Sequence, residues 1–173
     1  MSFTILIKKK VADSMNKRID LIIGHLEYIR YQKLIDSYEH DRVFCKHDML
    51  HAIDVARIFY IKVLEQGIDI KKDIAYAAAL LHDIGRADEY KDSVPHHLAS
   101  IIISEKILDE CDYQPNEINL ITNIISTHRD SLEKSSVNLL FFESDKNSRL
   151  CFQCSSNKKC KWQQDKKNHS VIY

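Results

Sequence analysis

The stretch IDIKKDIAYAAALLHDIG, residues 68–85, reads as a helix from about 71 to 84, apolar through Ala77, Ala78, Ala79, Leu80 and Leu81. Its alanines allow close helix packing, and Gly85 supplies a natural end. At the greasy end it sets an imidazole beside a carboxylate, His82 and Asp83. Adjacent helical residues point about 100° apart, so the two cannot simply share one core face. An isolated carboxylate buried there costs several kcal/mol, and a metal ion or a cationic partner removes that cost. Two plainer settings exist: Asp83 paired with Arg86 one turn on, and His82 at an exposed helix end.

Working outward, the chain has three glycines and two prolines in 173 residues, too few for the tight turns of a sandwich or barrel. Hydrophobic residues at 45% and charged residues at 29% give the balance of a soluble globular protein. The expected fold is all-α: one bundle of six helices, at 13–38, 47–66, 71–84, 96–110, from Pro115 to near His128, and from Asn138 to about Cys151. Residues 3–7 could be extended, and Ala87–Pro95 reads as a polar loop edging an open pocket. The domain is expected to span 1–152, with a Cys- and Lys-rich tail, 153–173, packed on it.

The zero formal net charge gives no sign of electrostatic capture of nucleic acid or an anionic membrane. The lysines of the tail (Lys158, Lys159, Lys161, Lys166, Lys167) are the one feature that speaks for nucleic acid. MSFTILIKKK has too short an apolar stretch for a signal-peptide core, and its lysines follow that stretch. No run approaches the roughly 18 apolar residues of a membrane span. The expected location is the cytoplasm, where the five cysteines are reduced or metal-bound.

His51, in HAIDVAR, has Val55 at i+4 and Ile58 at i+7, so it lies on or beside a buried stripe. A structural, hydrogen-bonded histidine is its plainer reading. His47, at i−4, could chelate with it, although a helix start is usually solvated. Asp145, after the apolar run Leu139–Phe142, is a second carboxylate where a helix should be buried, with a surface charge beside Lys146 as the alternative.

Taken in order, HAIDVARI, LLHDIGR and ESDKNSRL resemble the H…HD…D signature of the HD-domain superfamily of metal-dependent phosphohydrolases. The spacing fits, with about 30 residues between His51 and the His82–Asp83 pair and about 60 more to Asp145. The resemblance implies an HD-type helical domain in which His51, His82, Asp83 and Asp145 ligate one or two divalent ions (Mn, Fe, Zn, Mg, Co or Ni), with Asp83 able to bridge two. It also implies roles for a histidine that opens the helix after VP, His96 or its neighbour His97, and for His128 at a helix end. These would ligate a second metal or contact phosphate.

The implied chemistry is hydrolytic. A metal-bound water falls in pKa from about 15.7 towards 7 and supplies hydroxide at neutral pH. Besides Asp83, the catalytic candidates are Arg86 and Lys146, placed to meet phosphate from the rim, and His96, His97 or His128 as acid to the leaving oxygen. The expected substrate is a small phosphorylated metabolite, a nucleotide or related phosphomonoester, with a homodimer as an admissible assembly. The alternative is a non-catalytic nucleotide-binding or sensor module that retains the same metal site.

CFQCSSNKKCKW has metal-knuckle spacing but three ligands, Cys151, Cys154 and Cys160. Cys45 lies six residues before His51, and Cys151 six residues after Asp145. If both stretches are helical and antiparallel, each displacement is at most about 9 Å along the axis and the ends can meet. That geometry suggests a four-cysteine structural zinc site, with free thiols as the alternative.

Overall fold

The computed structural model describes residues 17–127 and 136–173, and every regular element among them is helical. Residues 17–24 form α1. The remaining helices are α2 (Leu26–Tyr38), α3 (Met49–Glu65), α4 (Lys72–Leu81), α5 (Arg86–Asp92), α6 (His96–Glu110), α7 (Pro115–Ser126) and α8 (Ser136–Asn147). Three single 3-10 turns follow, at Cys151–Gln153, Asn157–Lys159 and Gln164–Lys166.

Helix α4 is the axis of the bundle. Ala75, Ala77, Ala78, Ala79 and Leu81 are fully enclosed, and Ile74 and Leu80 nearly so. A helix apolar on all sides must be surrounded, and its small side chains let α3 and α7 lie close against it. Helix α8 also packs on α3, where Phe59 and Phe141 meet edge to face at 5.1 Å. The price of this burial at the start of α4 is Asp73, 1% exposed, which Arg18 of α1 neutralises while also reaching Glu117 of α7 at 2.5 Å.

Several helix limits differ from those expected. The segment expected to be one helix over 13–38 is broken at His25, whose extended backbone (ψ 129°) caps α2 as its Nδ1 accepts from Glu27 N. The apolar spacing runs on through the break, so periodicity does not reveal it. Helix α4 stops at Leu81 rather than 84, and His82–Gly85 form a turn. Gly85 therefore does not end α4; it starts α5, which replaces the open loop expected at Ala87–Pro95. Helix α8 ends at Asn147, short of Cys151. His128 lies outside the described residues, as do residues 3–7.

Gly85 is required for a close approach, not for an unusual backbone, since its φ is −75°. A Cβ there would stand 2.4 Å from His96 O, 2.5 Å from Ser100 N and 2.7 Å from Ala99 Cβ, all on α6. Ser100 locks the contact, accepting from Gly85 N and donating to the His82 carbonyl. The Gly85→Ala variant is expected to lose about 1–3 kcal/mol. Urea unfolding checks this through a lowered midpoint at unchanged slope; an unaltered midpoint contradicts the close approach.

Candidate metal centre

The turn that ends α4 puts His82 and Asp83 at the inner end of the buried helix, and α3 and α8 bring His51 and Asp145 to meet them. All four are buried. Ligand atoms of His51, His82 and Asp145 lie within 4.8 Å of one another. His51 Nε2 stands 3.3 Å from Asp145 Oδ1 and 3.7 Å from Asp83 Oδ2, and His82 Nε2 stands 3.1 Å from Asp83 Oδ2.

Two further imidazoles complete the cluster. Of the adjacent pair, His96 is fully enclosed and its Nε2 lies 3.3 Å from Asp83 Oδ1, whereas His97 is half-buried. His47 is 7% exposed with Nε2 3.9 Å from Asp83 Oδ2, so the solvated helix start expected of it is corrected. It precedes the helix altogether: Asp48 is the N-cap of α3, accepting from His51 N at 2.9 Å. Asp83 thus faces two ways, Oδ2 towards His47, His51 and His82, and Oδ1 towards His96 and Arg86.

The outward Nδ1 atoms reveal what the inward ones are. His82 Nδ1 meets the carbonyl of Ala79 at 2.7 Å, His47 Nδ1 meets Glu39 at 2.5 Å, and His96 Nδ1 meets Glu89 at 2.8 Å. Those partners only accept, so each Nδ1 is the protonated, donating nitrogen. His51 Nδ1 follows suit: Ser148 Oγ, 3.1 Å away, already gives its proton to the Asp145 carbonyl. The four Nε2 atoms therefore face the two carboxylates, and each offers a lone pair to a cation once it gives up its proton. A set of acceptors of this kind, each histidine oriented by an outer partner, fits a divalent cation. Nitrogen with carboxylate oxygen suits zinc, manganese, iron or nickel.

The same demand for positive charge appears in the acidities. Burial would raise the carboxyl of Asp83, but His82, Arg86 and His47 hold it well below the usual range. Burial likewise works against Asp145, outweighed by His51, Lys146, Arg149 and His82. His82 is shifted upwards, its burial overcome by Asp83 and Asp145. Glu39 is held at about 2: burial opposes, but hydrogen bonds from His47 and Tyr90 win.

The candidate phosphate contacts surround this centre. Arg86 Nε donates to Asp83 Oδ1 at 2.9 Å and reaches Glu89 at 3.1 Å. The side-chain partner read for Asp83 is therefore present, on a carboxylate that is also buried. Lys146 Nζ is 2.5 Å from Asp145 Oδ2, partly exposed above the ring of Phe142. Sequence reading passed over Arg149, which is buried and donates to His51 Nε2 at 3.1 Å and Asp145 Oδ1 at 3.2 Å. The centre opens into a cleft of about 690 Å³ lined by His47, His51, Asp145, Arg86, Lys146 and Arg149 among others.

A family model for the HD domain matches residues 49–159, and the chain belongs to that family of metal-dependent phosphohydrolases. The match runs past residue 152 into the segment read as a tail. An uncharacterized protein of Clostridium beijerinckii is 40% identical over 156 residues, covering 90% of this chain and 99% of its own. Ribonuclease Y of Mycoplasma mycoides is 32% identical over 62% of this chain, and Ribonuclease Y of Nitratidesulfovibrio vulgaris 29% over 65%. The chain spans only 23% and 20% of the length of those two enzymes. No solved structure matches it. Among the described residues no helix is long and apolar enough to cross a membrane.

Because Glu39 reaches the centre only through His47, it serves as a positioning residue. Glu39→Gln is expected to weaken Mn²⁺ binding about 10- to 100-fold, the usual effect of losing an outer partner. Calorimetric titration of metal into chelator-treated protein checks it, with the exposed pair Lys91–Asp92, outside the cleft, supplying a neutral control, Asp92→Asn.

Proposed function

We propose that the protein is a metal-dependent phosphohydrolase acting on a small phosphorylated metabolite, a nucleotide or related phosphomonoester. The observation that carries this reading is the convergence of imidazole lone pairs and carboxylates at the floor of a cation-lined cleft. His51, His82, Asp83 and Asp145 would hold the ion, with His47 and His96 beside Asp83. When bound, a divalent cation supplies hydroxide at neutral pH and neutralises charge on phosphoryl oxygens.

The chain's own residues do the rest. Arg86 and Arg149 present guanidinium groups that suit the paired oxygens of a phosphate. Arg149 is held by His51 and Asp145, so its guanidinium is the group that gives way when those atoms bind metal, and it remains beside the cleft to meet the phosphate. Lys146 adds a point charge from the partly exposed rim. His96, its Nδ1 tied to Glu89, would pass a proton to the leaving oxygen from Nε2, the atom that faces Asp83. His128 stays in this scheme on the strength of the family resemblance alone.

A second reading, hydrolysis of a phosphodiester in RNA, is favoured by one observation. Seven cationic side chains line the cleft (Arg42, Lys46, Arg86, Lys146, Arg149, Lys161 and Lys167) against Asp48, Asp54 and Asp145. The Ribonuclease Y names of two relatives agree with it.

Assays with Mn²⁺ on p-nitrophenyl phosphate, bis-p-nitrophenyl phosphate, a nucleoside monophosphate panel and a short RNA separate these readings. The leading one expects turnover of monoesters, abolished by chelation and lowered at least about 100-fold in His82→Ala and Asp83→Ala. Turnover of diester and RNA alone supports the second reading. Nucleotide binding without hydrolysis of any substrate marks a sensor module, and full activity in either variant refutes the metal mechanism.

A further inference from the structure

A second group of chemistry-bearing side chains lies outside the imidazole–carboxylate centre. Cys45 sits on the segment between α2 and α3, Cys151 begins the first 3-10 turn, Cys154 follows it, and Cys160 follows the second. The antiparallel helices expected to bring them together do not exist: residues 42–48 and 148–150 are non-helical. The cysteines converge nonetheless, because all four line the cleft described above. The fifth, Cys111, is buried at the end of α6 away from it.

None of the five is in a disulfide. The Cys45 thiol is pushed up by burial first, and then by the proximity of Cys151, Cys154 and Cys160, with Arg149 acting against them. Two segments far apart in sequence thus bring four thiols to one cavity.

The C-terminal segment also lacks a core of its own. From residue 148 onward it has no helix longer than one turn, and Cys151 is its only buried apolar residue. Its ends are tied by polar contacts: Asn168 Nδ2 donates to the carbonyls of Lys146, Asn147 and Arg149, and Lys167 Nζ donates to Asn157 O. Little apolar burial holds the stretch between, and small units of this kind commonly use a metal.

We propose that Cys45, Cys151, Cys154 and Cys160 bind one zinc ion, clamping the C-terminal segment to the segment between α2 and α3. Four soft sulfur ligands select zinc, and a closed tetrahedral set with no open position is structural rather than catalytic. Each thiol binds as thiolate, so four protons leave to solvent and the site carries two net negative charges. Arg42, Lys46, Arg149, Lys161 and Lys167 line the same cleft and offset that charge. Among the described residues the donor atoms already within 4.8 Å of one another are those of His51, His82 and Asp145, so the sulfurs must close in on the ion. The parts that must yield are a loop and single turns, not helices.

The clamp has a reach beyond its own ligands. Cys45 is two residues before His47, and Cys151 two residues after Arg149. Zinc would thereby fix the positions of an imidazole and a guanidinium at the neighbouring centre without taking part in hydrolysis.

The test uses full-length protein purified under reducing conditions without chelator. In His82→Ala/Asp145→Ala protein, in which the first centre is disabled, titration with p-hydroxymercuribenzoate should release about one zinc per four thiols modified, read with a chromogenic zinc indicator. Cys154→Ser/Cys160→Ser protein should release none while still binding Mn²⁺. Where that variant does not fold, Co²⁺-loaded wild type decides, because four thiolates give intense thiolate-to-cobalt charge-transfer absorption. Thiols that titrate without zinc release, zinc content unchanged in the cysteine variant, or cobalt lacking that absorption would each overturn the proposal.

Discussion

A carboxylate enclosed at the end of an apolar helix is tolerable only if positive charge comes to it, and Asp83 is placed in that position by the packing of α4. The bundle supplies the charge from several directions. Arg86 comes from the start of α5, and imidazoles come from α3, the residues before it, the α4 turn and α6. Asp145 repeats the arrangement from α8 with Lys146 and Arg149. Protein cations thus meet part of the demand. A divalent cation that takes the place of the Nε2 protons answers the rest.

The outer partners explain why the cluster can be precise. Glu39, Glu89, Ser148 and the Ala79 carbonyl each fix one imidazole tautomer. They belong to the C-cap of α2, α5, the turn after α8, and α4, so the candidate metal centre draws on much of the fold. Gly85 matters for the same reason. It lets the α4–α5 turn lie against α6 closely enough for His96 to reach Asp83.

Most helices were legible in the sequence because apolar spacing and glycine and proline positions mark them, and the four candidate ligands stood out as polar residues on apolar stripes. What escaped reading has physical causes. The break at His25 keeps the helical period in phase, and α5 is too short and polar to show an apolar face. Arg86, spaced to pair with Asp83, does pair with it, so that plainer reading and the metal reading describe the same turn. His47 was discounted because a position before a helix is usually solvated; its burial depends on Glu39 and Tyr90, contributed by chain 8 and 43 residues away (47−39 and 90−47). Arg149 went unread because nothing local signals that α8 ends in time to turn it inward.

The central claim is that this buried cluster of acceptors is a divalent-cation site. Mn²⁺ tests it most directly, since its preference for nitrogen and oxygen donors separates it from thiolate sites. Isothermal titration of chelator-treated wild type should show saturable Mn²⁺ binding that disappears in His82→Ala/Asp145→Ala protein of unchanged helical content. Wild type that fails to bind Mn²⁺, or a double variant that binds it as tightly, contradicts the account.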